Sequence, residues 1–186
     1  MPTSRLRSSP EQHAAQFGAL FEAHHDEIHR YVASRLGRAH ADDLAAETFL
    51  VAFRTRDRFS GPDGHRRAWL FGIATNLIRR HRRDEERRYR ALGRAGGLAA
   101  VDHADPDRVI DRVVAGGAQP ALAGALRALN PADRDALLLV AVADLSYAEV
   151  GAALGIPPGT VGSRLTRARA TVRAALGTPT DHRGVS

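Results

Sequence analysis

Apolar positions along the chain recur mainly at three- and four-residue steps, and strand-like alternation is almost absent. Phe17, Leu20, Phe21, Ile28, Tyr31 and Val32 follow the helical spacing, which predicts an amphipathic helix over Phe17–Leu36 ended by Gly37. A second helix is expected from Asp42 to Arg54, with Asp42, Asp43 and Glu47 in its first turns, where the helix dipole favours acids. Its apolar residues do not form one stripe. Leu44 and Val51 fall on one side, Phe49 and Phe53 on another, and Leu50 on a third, so the helix needs cover on more than one side.

Gly61, Pro62 and Gly64 mark Thr55–Arg67 as a loop. A third helix starts near Arg67 and runs to about Arg83 or beyond. Trp69, Leu70, Ile73, Ala74 and Leu77 share its apolar face; Gly72, Thr75, Asn76, Arg79, Arg82 and Arg83 lie opposite. The stretch Ala91–Ala104 is rich in Gly and Ala without apolar period and reads as a linker. A weak helix at Asp105-Pro106 is interrupted at Gly116-Gly117. Helices resume over Pro120–Leu129 and, after an Asn130 cap with proline at the first helical position, over Pro131–Ala143.

Ser146-Tyr147-Ala148-Glu149 has the form of a capping box, in which the serine hydroxyl takes a free helix N–H and the glutamate reaches back. The short helix Tyr147–Leu154 stops at Gly155-Ile156-Pro157, and another begins near Pro158. Helix, glycine-containing turn, helix is the helix-turn-helix plan. Val161, Leu165, Ala168, Val172 and Leu176 make the buried stripe of the second helix. Thr160, Ser163, Thr166 and Arg167 point away, with Arg164 on a flank. Short hydroxyls and arginine are the side chains that reach phosphates and base edges in a major groove. The bland alternative is a helical hairpin with a solvated face. The architecture expected is all-α: two small helical domains, residues 14–92 and 118–177, joined by a flexible linker, 93–117.

Charge sharpens this picture. The net charge of +6 comes from 27 basic residues, every one an arginine, against 21 acids. Between Arg54 and Arg94 stand thirteen arginines and five acids, a net of +8, so one segment holds the whole excess. Such a field is the electrostatic footprint for a polyanion partner. The absence of cysteine excludes disulfides, thiol catalysis and cysteine-ligated metals. No apolar run is long enough to span a bilayer and no signal peptide is visible, so the expected location is the cytoplasm. His25 and His29 have the i,i+4 spacing of some zinc sites, but Asp26 stands where such a motif carries Glu and spacing offers no third ligand. No metal, no cofactor and no enzymatic activity are expected.

Three segments, in order, resemble the bacterial RNA polymerase sigma factors of the sigma-70 family. Asp42-Asp43-Leu44-Ala45-Ala46-Glu47-Thr48-Phe49 is similar to their core-binding motif. Trp69-Leu70-Phe71-Gly72-Ile73-Ala74-Thr75-Asn76-Leu77 with Arg79-Arg80-His81-Arg82-Arg83 is similar to their −10 recognition and melting region. Leu145–Val150 with Gly159–Arg169 is similar to their −35-reading helix-turn-helix. Two domains and a linker match the small extracytoplasmic-function (ECF) group. Gly162 departs from the pattern by replacing a basic residue, as does Arg79 by replacing an acid.

The resemblance implies a factor that binds core RNA polymerase and directs initiation at promoter DNA, double-stranded at −35 and single-stranded at −10, under the control of an anti-sigma factor. It implies polymerase contacts at Asp43, Glu47, Phe49 and Leu50. It assigns −10 contacts to Asn76, Arg79, Arg80, Arg82 and Arg83, aided by the Thr55–Arg67 loop, and −35 contacts to Thr160, Ser163, Arg164, Thr166 and Arg167. The rival readings are a stand-alone helix-turn-helix transcriptional regulator and a helical adaptor that binds only protein.

Overall fold

A computed structural model describes residues 10–59, 61, 65–96 and 120–176. Among the described residues every regular element is helical: α1 (Pro10–Leu36), α2 (Arg38–Thr55), a short 3-10 turn (Arg56–Arg58), α3 (Arg66–Gly96), α4 (Pro120–Ala128), α5 (Pro131–Ala141), α6 (Tyr147–Leu154) and α7 (Pro158–Leu176). The expected weak helix at Asp105-Pro106 and most of the expected linker lie outside the described residues.

Three boundaries differ from those the sequence pattern predicts. The first helix begins at Pro10 rather than Phe17. The second begins at Arg38, so Asp42 and Asp43 sit beyond its first turn. Gly37 alone makes the break: its φ of 83° is in the left-handed region, and the chain re-enters a helix at once. The third runs to Gly96, through the expected start of the linker. Its distal part lacks an apolar stripe but carries i,i+3 and i,i+4 pairs, among them Arg80–Asp84, Arg87–Asp84 and Arg90–Glu86. Each such pair is worth a few tenths of a kcal/mol, roughly 0.2–0.5.

The first lobe packs α1, α2 and α3 around Ile28, Tyr31, Val32, Leu44, Phe49, Leu70, Phe71 and Ile78, all buried. In the second lobe α4 and α7 close over Leu126, Leu129 and Ala168, while α5, α6 and α7 bury Leu139, Val150, Val161 and Leu165. Local capping fixes the second lobe's starts. Asn130 accepts from the Ala132 N–H at 2.9 Å. Ser146 and Glu149 complete the capping box in both directions, and these bonds hold the Glu149 carboxyl below the ordinary glutamate range. Gly155-Ile156-Pro157 then turns the chain into α7, giving the helix-turn-helix.

The two lobes do not stand apart. Their buried side chains form one continuous cluster. At its tightest point α3 meets α6: a Cβ on Gly72 would sit 2.5 Å from the Ala153 carbonyl oxygen. Only a residue without a side chain permits that approach.

Candidate nucleic-acid interface

Helix α3 presents its cations on two differently used sides. Asn76, Arg80 and Arg83 are exposed. Gly72 and Thr75, expected on the same open face, are buried instead, Gly72 under α6 and Thr75 against Tyr31. The reason is that α3 is covered on two sides, by its own lobe and by the second lobe. The apolar residues expected to form its core face divide accordingly: Leu70 and Ala74 are fully buried, and Trp69, Ile73 and Leu77 pack at the margin of the core. Arg79 and Arg82 are half-buried and engaged. Arg79 Nε donates to Asp135 Oδ2 at 2.6 Å, and Arg82 donates to the Arg35 carbonyl at 2.9 Å.

Asp135, on α5 of the second lobe, is 1% exposed and lies between two guanidiniums of the first. Arg35, itself 2% exposed, donates to its other oxygen at 2.5 Å and to the Tyr31 hydroxyl at 3.0 Å. Thr75 gives its own proton to the Phe71 carbonyl, so the Tyr31 hydroxyl donates to Thr75. Burial works against the Arg35 charge, but Tyr31 and Asp135 outweigh it and its pKa is raised; burial pushes the Tyr31 phenol up as well. The assembly is a Tyr–Arg–Asp–Arg network spanning the lobes, buried at Tyr31, Arg35 and Asp135 and half-exposed at Arg79. A second bridge runs from Arg67, which donates to Glu27 at 2.8 Å in the first lobe and to the Ala143 carbonyl at 2.5 Å in the second.

On α7 the outward face is more open. Ser163, Thr166 and Arg167 are exposed, and Thr160 and Arg164 are half-buried. Ser163 and Thr166 donate back to the Gly159 and Gly162 carbonyls, leaving their oxygens able to accept. Arg167 grips Asp133 with two bonds, at 3.0 and 2.8 Å, which raise its pKa. Arg164 has no ion pair among the described residues. Gly162 faces open space, so the missing basic side chain leaves no filled hollow behind.

Helix α2 corrects one assignment. Phe49 is 3% exposed, with its ring 4.8 Å from that of Phe21 and 6.4 Å from that of Phe17. It is a core residue of this arrangement and does not present a surface. Leu50, Glu47 and Asp43 are exposed as expected. Leu50 is joined by Phe53 and Phe21, large apolar side chains also left open to solvent, which the sequence pattern places among helical apolar positions without naming them as polymerase contacts. The apolar positions spread round α2 are the signal that points to Leu50 and Phe53; Phe21, on α1, follows the apolar spacing of its own helix. The i,i+4 histidines, His25 and His29, stack with ring centroids 6.1 Å apart, and His29 Nε2 lies 3.0 Å from Asp42. After the 3-10 turn, Phe59 and Trp69 bring their rings within 5.1 Å beside Arg56 and Arg66, lining an open hollow.

Residues 20–88 match the sigma-70 region 2 family and residues 120–172 match sigma-70, region 4. The chain belongs to the sigma-70 family, in its ECF group. The ECF RNA polymerase sigma factor SigC of Mycobacterium tuberculosis is 31% identical over 90% of this chain and 86% of its own length. The ECF sigma factor BldN of Streptomyces coelicolor is 31% identical over 88% of this chain, but the match spans only 61% of BldN. Among solved structures, CnrH in complex with the cytosolic domain of CnrY superposes with a TM-score of 0.58 at 26% identity, covering 88% of each chain. The region 2 match takes in the acidic α2 motif and Arg79–Arg83; the region 4 match takes in the helix-turn-helix up to residue 172, short of the last turn of α7. No described helix of this sigma-family chain is long and apolar enough to cross a membrane.

Proposed function

We propose that the chain is a sigma factor that binds core RNA polymerase in the cytoplasm and directs promoter-specific initiation, reading a −35 element with α7 and opening DNA at −10 with α3. The observation that carries this is the pairing, in one chain, of both family regions with outward Asn76, Arg80 and Arg83 on α3 and outward Ser163 and Thr166 on α7. In this reading Leu50, Phe53 and Phe21, flanked by Asp43 and Glu47, dock on the polymerase. Arg80 and Arg83 neutralise phosphates, joined by Arg79 and Arg82 once these are released. Phe59 and Trp69 offer stacking surfaces for unpaired bases, which hold single strands at about 1–3 kcal/mol per base. Arg164, Thr160, Ser163 and Thr166 meet base edges and phosphates at −35, with Arg167 available after leaving Asp133.

The element names place the two DNA sites about 25 base pairs apart, about 85 Å at roughly 3.4 Å per step. Lobes that share a core cannot reach both. Promoter engagement on polymerase therefore separates them, breaking the Arg35–Asp135–Arg79 network and freeing Arg79 for DNA. An anti-sigma partner fits the same account, since a protein that favours the packed lobes keeps Arg79 on Asp135 and prevents both elements from being reached at once. Run-off transcription with purified core enzyme tests the reading: this chain should confer start sites on genomic promoters that core alone does not use. Promoter binding by the chain alone, with no gain of initiation by core enzyme, would favour the stand-alone regulator.

A further inference from the structure

Among the described residues, the first lobe holds one group of metal-ligating side chains that the proposed DNA and polymerase surfaces do not use. His40 lies in the first turn of α2, immediately after the Gly37 corner; His81 and Glu85 lie one turn apart on α3. One ligand atom from each of the three falls within 4.8 Å of the others. His81 Nε2 and Glu85 Oε2 are 3.5 Å apart, and the His40 and His81 rings meet at 4.6 Å, tilted by 54°. We propose that His40, His81 and Glu85 form a binding site for a borderline divalent cation, zinc by preference, which ties the start of α2 to α3.

His81 Nε2 is shut off from solvent yet has no hydrogen-bond partner. A buried polar nitrogen without a partner is costly, and a cation beside it removes the cost. Donors around a tetrahedral zinc at about 2.0–2.1 Å lie roughly 3.3 Å apart, so the His81–Glu85 pair is already near the required spacing. All three side chains are partly exposed, and small rotations complete the closure. Two imidazoles and one carboxylate are a donor set for zinc and its neighbours rather than for magnesium or calcium, and leave a fourth position for water. Nearby arginines weaken the site without blocking it. Arg82 is bonded to the Arg35 carbonyl, and Arg80 and Arg83 stand out in solvent.

Helical geometry brings His81 and Glu85 to one face, since residues four apart are neighbours. Only the tight α1–α2 corner brings His40 across to meet them. A bound ion therefore braces the corner from which Asp42 and Asp43 project. The site lies wholly within the first lobe and does not depend on the lobes being together or apart.

The test is zinc titration of the full-length chain against a chromophoric chelator, alongside H40A, H81A, E85Q and an H25A/H29A double variant, with circular dichroism to verify folding. The chain should bind one more equivalent than H40A or H81A, and E85Q should weaken that equivalent about tenfold or more. The H25A/H29A variant should retain it. Cobalt(II) in place of zinc should give the visible absorption of a four-coordinate site, lost in H81A. Zinc at a hundredfold excess over its Kd should raise the Tm by about 5 °C or more. Unchanged stoichiometry and affinity in H40A, H81A and E85Q overturns the proposal, as does loss of the equivalent in H25A/H29A or absence of zinc binding by the parent chain. Should H40A or H81A fail to fold, E85Q, whose side chain is partly exposed, decides on its own.

Discussion

Helices α3 and α7 carry the two proposed DNA-facing surfaces, and the packed lobes treat them differently. On α3, Arg79 is committed to Asp135 of the other lobe, Arg82 lies beside the buried network, and Gly72 is pressed against Ala153. On α7 the engaged arginines, Arg167 on Asp133 and Arg169 on the Tyr147 hydroxyl, pair within their own lobe, and the hydroxyl face stays open. The proposed −35 surface is thus largely open while the proposed −10 surface is half occupied. Charge alone does not make a nucleic-acid surface. What counts is whether the guanidinium already has a carboxylate, and which lobe owns that carboxylate.

The broadest attack on this contrast is charge reversal on α3. Changing Arg79, Arg82 and Arg83 together to Glu should abolish open-complex formation while polymerase binding through α2 persists. Permanganate footprinting of the −10 region reads the first and co-purification with core enzyme the second; normal melting would show that α3 is not the −10 surface. Next comes the network itself. Asp135→Ala leaves Arg35 buried without its carboxylate, a change that costs about 3–5 kcal/mol when one partner of a buried pair is removed. Chemical denaturation should register the loss. Scattering of the folded fraction should show a larger radius of gyration, and an unchanged stability would mean that the pair is solvated rather than buried.

The helix-turn-helix is legible in the sequence because its signals are local. Ser146 caps at Glu149 and Asn130 caps at Ala132, within three residues, and both caps can be read from residue types and spacing alone. The stripe Val161, Leu165 and Ala168 is equally plain. What is not legible depends on distance along the chain. Arg35 and Asp135 are separated by 100 residues, Arg79 and Asp135 by 56, and no spacing rule links them. Phe49 and Leu50 adjoin on a helix apolar on several sides, so periodicity shows that cover is needed without showing which of the two is already covered. The end of α3 escapes because its last turns rest on ion pairs rather than on an apolar stripe.

Smaller changes refine the α7 side. Arg164→Ala should cost about 1–3 kcal/mol of −35 discrimination, the range for a lost bidentate base contact, whereas Arg167→Ala should also loosen the α5–α7 contact through Asp133. Promoter selection from a randomised −35 library separates specificity from stability; an unchanged preference in both variants would place the reading face elsewhere. The smallest effect expected is that of Ser146→Ala, about 1 kcal/mol from loss of the cap. Its sign with pH is fixed. Glu149 has a lowered pKa when folded, so its contribution is complete above the unfolded value and fades as pH falls through the folded one. The gap between parent and Ser146→Ala should therefore shrink in acid; a gap that widens would contradict the capping geometry.

The proposed separation of the lobes can be followed directly, because the chain has no cysteine and two introduced thiols are its only labels. Ala23 on α1 and Ala174 on α7 are both exposed. With Ala23→Cys and Ala174→Cys carrying a fluorescence pair, the free chain should show one short distance. Addition of core polymerase and promoter DNA should lengthen it by about 30 Å or more, as engagement of two elements roughly 85 Å apart requires. A distance that stays short in a transcriptionally competent complex would contradict the account.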